Sequence, residues 1–146
     1  MITLDYGCVV NGYCSDMTRT VALGQPDSRL VNIYDIVLKA HEIGIKALKT
    51  GIETMSVDNS VREYITQNGY GANFGHGTGH GVGLQIHEKP VLNQRENSIL
   101  KPNQVVTVEP GIYVKGLGGV RIEDLCIITE DGYIDLTKSD KNLIIL

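Results

Sequence analysis

The stretch Phe74–Pro90, FGHGTGHGVGLQIHEKP, constrains this chain more than any other. It holds three of the four histidines of the 146-residue sequence and also five glycines. Histidine titrates near neutrality and is the commonest metal ligand. Glycine lets backbone approach an ion or substrate closely and reaches dihedral angles that other residues avoid. The combination is costly as a plain loop and useful as a site. His80 and His87 lie seven positions apart, on opposite faces of an unbroken strand, but Gly81 and Gly83 permit a bend or bulge that brings both rings to one cavity. The remaining sequence reads as carboxylates delivered to His80.

The first pair comes from a hairpin. Ile2 to Val10 and Tyr13 to Leu23 read as strands flanking Asn11-Gly12, the dipeptide whose two residues tolerate the positive φ of a two-residue turn. Val10 then pairs with Tyr13, Asp5 lies opposite Thr18, and Asp16 lies opposite Gly7. Asp5 and Asp16 share a face as diagonal neighbours, roughly 7–8 Å apart at the backbone and able to converge on one metal centre, with Gly7 leaving that spot open. Two like charges that close repel unless a cation or proton lies between them. Taken singly, either aspartate also fits turn chemistry or a solvated edge charge.

Beyond the hairpin, Gln25-Pro26-Asp27-Ser28 reads as a stop and a helix cap. A helix from Arg29 to Lys49 carries apolar residues at helical spacing and closes at Thr50-Gly51. A shorter helix runs from Val57 to Gln67. Strands follow at Val105 to Glu109, Gly111 to Tyr113, Val120 to Thr129 and Tyr133 to Leu136. This pattern predicts an α+β fold in one domain, residues 1–146, with an antiparallel sheet and helices packed on one face. The net charge of −4 provides no basic field for nucleic acid or an anionic membrane, and no apolar run is long enough to span a bilayer. Three cysteines, Cys8, Cys14 and Cys126, form neither a CxxC pair nor an even disulfide set, which suits a reducing, cytoplasmic compartment.

Two more acids complete the set. Glu109 ends the β-branched run Val105–Val108 and precedes Pro110, so its carboxylate is half-buried or buried and needs a partner. In Val120-Arg121-Ile122-Glu123-Asp124-Leu125, alternation places Arg121 and Glu123 on one face, as site residues or as a structural ion pair. Asp124, on the other parity, is expected to cap or pair locally. Cys14 shares the face of Asp5 and Asp16 but reads as a buried free thiol. Four carboxylates and an imidazole form an oxygen-rich set suited to divalent Mn, Co, Fe or Zn ions, particularly a pair of them.

Read together, LDYG with Asp5, YCSDMTRT with Asp16, HGTGHGVGLQIHE with His80 and His87, VEPGIY with Glu109 and VRIED with Glu123 resemble the pita-bread metallopeptidases. That family includes methionine aminopeptidase, aminopeptidase P, prolidase and the creatinase relatives. The resemblance implies two divalent metal ions: Asp5 ligates the first, Asp16 and Glu123 bridge both, and His80 and Glu109 complete the second. It also implies that the ions activate a water for attack on a peptide carbonyl, that Glu109 carries the proton, and that His87 donates to the carbonyl. Such ligands must be deprotonated, so activity falls in mild acid.

Within the family, Arg19, Arg121 and His76 together resemble the proline-specific branch, which implies a peptide substrate with proline at the second position, held in part by His76, His87 and Arg121. Dipeptidase and aminopeptidase action stay open. So do two alternatives, a catalytically silent peptide- or protein-binding module and a methionine-aminopeptidase-like activity. Relatives also carry helices and a strand before the first aspartate. Met1 is instead followed at once by a strand-like run, so the chain is expected to be part of a longer catalytic domain and to associate, as a homo-oligomer or with the missing half, through exposed apolar surface.

Overall fold

Asn11 and Gly12 take φ of 53° and 87°, the positive values that a two-residue hairpin turn demands. The computed structural model describes all residues, Met1–Leu146. The hairpin has the expected register, with Val10 opposite Tyr13 and Asp5 opposite Thr18. It is not two continuous strands. It divides into β1 (Ile2–Tyr6), β2 (Val9–Val10), β3 (Tyr13–Cys14) and β4 (Met17–Val21), with β1 pairing β4 and β2 pairing β3. The interruption falls at Gly7. A β-carbon there would lie 1.9 Å from the carbonyl oxygen of Ser15, so Gly7 serves close backbone approach and does not leave an open space.

Two helices follow. In α1 (Ser28–Lys46), the Asp27 carboxylate caps the start by accepting from the Arg29 N–H at 2.8 Å. The helix stops three residues before the expected Lys49. Helix α2 (Thr54–Gln67) starts three residues before the expected Val57, because Thr54, Val57, Val61 and Ile65 form one buried stripe. A 3-10 turn at Gly71–Asn73 then leads into the histidine stretch.

The main sheet is antiparallel and uses β5 (Gly79–Gly81), β6 (Glu88–Leu92), β7 (Val105–Val108), β10 (Asp124–Ile128) and β11 (Tyr133–Asp135), in the order β11-β10-β7-β5-β6. A separate ribbon pairs β8 (Gly111–Val114) with β9 (Gly118–Arg121). The strand expected from Val120 to Thr129 therefore breaks at Ile122-Glu123, and its two halves enter different sheets.

Alternation decides what each face carries. Val106, Val108, Cys126 and Ile128 point at the helices and pack with Ile45, Leu48 and Val57. Ile112, Val120 and Ile122 close the core against Ile33, Val37, Ala40 and Val61. A strand's other parity must then face away from the helices, and this turns Thr107, Glu109 and Glu123 to the opposite side. The helices occupy one face, and the acids around His80 gather on the other.

Candidate metal centre

His80 sits on β5 where the register with β6 shifts between His80 and Gly81, so the glycines do produce a bulge. Strand β5 also presses close to β7: a β-carbon at Gly79 would lie 1.9 Å from the Thr107 carbonyl oxygen. His80 Nδ1 lies 3.0 Å from the carbonyl oxygen of Gly81. A carbonyl can only accept, so Nδ1 carries the proton there, and Nε2 is the nitrogen presented to the acids. Nε2 lies 3.2 Å from Glu109 Oε1 and 3.7 Å from Asp16 Oδ2. The Thr107 hydroxyl links the same groups, accepting from the His80 backbone N–H at 3.0 Å and donating to Glu109 Oε1 at 3.2 Å.

Glu123 arrives from the turn between β9 and β10. It is 2% exposed, and its Oε2 accepts from the Thr18 hydroxyl at 2.5 Å. One donor atom each from Asp16, His80 and Glu123 all lie within 4.8 Å of one another. Four of the five expected ligands are thus gathered. The fifth, Asp5, lies at the rim on the half-exposed β1, and its carboxylate is bonded to the Arg121 guanidinium.

The electrostatics follow from crowding acids against a sheet. Burial pushes the Glu123 carboxyl up to about 8, reinforced by the charges of Glu109, Asp16 and Asp5 and opposed by the Thr18 hydrogen bond. Asp16 is raised by burial and by the same neighbouring acids, with His80 opposing. His80 is raised: burial disfavours its charged form, but the bonds to Glu109 and Gly81 and the surrounding carboxylates outweigh that. Burial and neighbouring acids resist the ionisation of Asp16 and Glu123 beside one oriented imidazole nitrogen; with Glu109 they form an oxygen-rich donor set, and a divalent cation between them relieves the repulsion. The residues present fit such an ion.

Beside this cluster lies an open cavity of about 780 Å³, lined among others by His76, His80, His87, Glu109 and Arg121. The His87 ring centroid is 4.3 Å from that of His80, so the bulge does bring both rings to one cavity. His76 Nδ1 lies 2.8 Å from the Gly77 carbonyl oxygen, and its Nε2 is 3.1 Å from the Tyr113 hydroxyl. That hydroxyl accepts from Arg121 Nη1 at 2.9 Å. A relay from Arg121 through Tyr113 to His76 therefore borders the cavity. The sequence reading missed Tyr113; its only signal was an exposed aromatic in the VEPGIY run. It also missed Thr18 and Thr107, hydroxyls that only strand pairing brings to the acids.

Asp124 is a correction. It has the parity expected but does not pair locally. Fully buried on the helix side, its Oδ1 accepts from Arg19 Nη2 at 2.7 Å, and its Oδ2 lies 2.8 Å from Lys141 Nζ and 3.2 Å from His41 Nε2. Arg19 Nη1 donates to the carbonyls of Thr18 and Glu123, which ties β4 to the Glu123 turn. Partners lying more than 80 residues earlier in the chain, on α1 and β4, are invisible to local reasoning. Cys14 is half-buried beside Asp5 and Asp16, and its Sγ lies 3.8 Å from the Leu84 carbonyl oxygen.

Comparison with known proteins gives a consistent result. The family described as metallopeptidase family M24 matches residues 1–130. The uncharacterized peptidase YqhT of Bacillus subtilis is 51% identical over 146 residues, covering 100% of this chain and 41% of that protein. The Xaa-Pro dipeptidase of Pyrococcus furiosus is 45% identical over 144 residues, covering 99% of this chain and 41% of that one. Among solved structures, an Xaa-Pro dipeptidase from Bacillus anthracis superposes with a TM-score of 0.97 at 53% identity, over 99% of this chain and 41% of its own. The chain thus spans well under half the length of the relatives it matches.

Proposed function

The chain belongs to metallopeptidase family M24 and has its pita-bread fold, and from that premise we propose that its catalytic face hydrolyses the peptide bond before proline, as a dinuclear Xaa-Pro peptidase. The observation that carries the proposal is the convergence of Asp16, His80, Glu109 and Glu123 at the edge of the cavity that also holds His76, His87 and Arg121. Asp16, His80, Glu109 and Glu123 would hold the ions, with Asp5 joining them from the rim when it exchanges its Arg121 partner for a cation. When bound, divalent ions of the Mn, Co, Fe or Zn kind supply an activated water and polarise the scissile carbonyl.

The chain's own groups do the rest. Glu109, hydrogen-bonded by Thr107 and next to His80 Nε2, is placed to take the proton of the attacking water and return it to the leaving nitrogen. His87, exposed on the cavity side of His80, is placed to donate to the substrate carbonyl as negative charge develops on it. The Arg121–Tyr113–His76 relay presents a fixed polar edge to the substrate. The proline ring removes the amide N–H, so such a site selects by shape and by contacts to the flanking groups.

The exposed face formed by Ile2, Leu4, Tyr6, Val10 and Tyr13 supports self-association or packing against further polypeptide. No helix is long and apolar enough to cross a membrane. The free thiols Cys8, Cys14 and Cys126 support a reducing, cytoplasmic setting.

One experiment tests the reading in two steps. Chelator-stripped protein is titrated with Mn²⁺ or Co²⁺ by calorimetry, and binding of up to two ions per chain is expected. Ala-Pro, Gly-Pro and Met-Ala are then compared as substrates in a chain extended to the length of its relatives. Absence of binding at millimolar metal would favour a silent binding module, and preferential cleavage of Met-Ala would move the chain to the methionine-aminopeptidase reading.

A further inference from the structure

The segment Phe74–Thr78 carries His76 with a glycine on either side, and it runs outside any strand between the 3-10 turn and β5. Gly75 and Gly77 give such a segment many conformations in isolation, so something else must hold the imidazole at the cavity. The holding group is one side chain from α2. Arg62 Nη1 donates to the Phe74 carbonyl at 2.9 Å and Nη2 donates to the His76 carbonyl at 2.8 Å. Its guanidinium also sits 4.3 Å from the centroid of the Phe74 ring, which in turn meets the His76 ring edge-on at 5.0 Å.

Arg62 is itself fixed by a buried acid one helical turn away. Asp58, fully buried, accepts from Arg62 Nε at 3.0 Å and from Nη2 at 3.1 Å. The same carboxylate accepts from the Thr78 N–H at 3.0 Å and from the Thr78 hydroxyl at 2.8 Å. The Thr78 carbonyl accepts from the Glu109 N–H at 2.7 Å. One ion pair on the helix layer therefore grips both ends of the segment and, through Thr78, is linked to the backbone at Glu109. A surface i, i+4 ion pair needs none of these bonds to the segment. The fork of a guanidinium, donating in several directions in one plane, is the geometry required.

We propose that Arg62, anchored by Asp58, is a positioning residue that sets the orientation and tautomer of His76 at the cavity. The inference deepens the peptidase reading and rests on it for what His76 does there, but the placement itself is a property of the chain without metal. With the segment held, His76 Nδ1 faces the Gly77 carbonyl at 2.8 Å and must carry the proton, which leaves Nε2 to accept from the Tyr113 hydroxyl at 3.1 Å. The chain thereby fixes which ring nitrogen faces the relay to Arg121. Lysine at position 62 keeps the charge beside Asp58 but cannot reach two carbonyls and the carboxylate together.

The test is long-range ¹H–¹⁵N NMR of the histidine rings in the metal-free chain, at a pH where His76 is neutral, with His76→Gln used to assign its signals. The wild type should show one His76 species, protonated on Nδ1. In Arg62→Lys the ratio of Nδ1–H to Nε2–H forms should fall roughly tenfold, the bias that one hydrogen bond provides, while the His80 signals stay in place. Asp58→Asn, which keeps an acceptor for Thr78 but weakens the hold on Arg62, should move His76 in the same direction and serves if the lysine variant does not fold. A folded variant with unchanged His76 signals overturns the proposal, as does a wild-type ring protonated on Nε2. Failure to bind metal would count against the peptidase reading and leave these spectra unaffected.

Discussion

Glu123 offers a quantitative test of the centre. Its carboxyl is 2% exposed, faces the acids Glu109, Asp16 and Asp5, and has the Thr18 hydroxyl as its hydrogen-bond partner. In the metal-free fold its pKa rises from the ordinary 4.5 to about 8. At about 1.4 kcal/mol per pH unit, ionising it in place costs on the order of 4–5 kcal/mol, an upper figure because relaxation and entering water reduce it. Below pH 4.5 the group is neutral both folded and unfolded and carries no penalty. As pH rises toward 8 the unfolded chain releases its proton first, so this stability is progressively lost, and above 8 the loss is complete. Glu123→Gln removes the titration while keeping the shape. Urea denaturation in chelator at pH 5, 7 and 9 should therefore show the variant gaining on the wild type as pH rises, by roughly 3 kcal/mol or more between the extremes. Divalent metal should reverse the trend for the wild type alone, because the ion takes the ionised form and binding releases protons. Parallel pH profiles for the two proteins in chelator would refute the reasoning, since they would mean the carboxylate ionises without resistance.

Other outcomes follow from the same geometry. Mn²⁺ at about 100 times its Kd should raise the unfolding free energy by about 2.7 kcal/mol, read as an upward shift in thermal midpoint, with no shift in Glu123→Ala. Glu109→Gln, in a chain extended to the length of its relatives, should lower kcat for Ala-Pro by about 10²-fold or more while leaving circular dichroism unchanged; retained turnover would remove it from the proton path. Asp124→Asn should cost roughly 3–5 kcal/mol by denaturant melts, because it leaves Arg19 and Lys141 without their buried partner. Although burial opposes it, contact with His41, Lys141 and Arg19 holds the Asp124 carboxyl well below its ordinary 3.8, so the stability it contributes is present above that pH and is lost as pH falls below it. Leu4→Lys with Tyr6→Lys should reduce association in sedimentation velocity, since both side chains are exposed on β1.

The sequence by itself determined the hairpin, its register and the order of elements, because each rests on short-range rules. Asn11-Gly12 sets the turn, and pairing then counts outward from it to place Asp5 opposite Thr18. Counting placed Asp5 beside Asp16, alternation put Glu123 on the site face, and the resemblance carried by all five motifs led to the expectation of Asp5, Asp16, His80, Glu109 and Glu123 in one place with His87 beside His80. What local rules could not reach were partners distant in sequence. Only the folded chain decided that Gly7 serves a close backbone approach, that the strand after Val120 breaks between two sheets, and that Asp124 faces α1 and β4. Only it turned Asp5 toward Arg121 and brought Arg62 under the His76 segment. Periodicity says which face a side chain points to, whereas its partner depends on which other element covers that face.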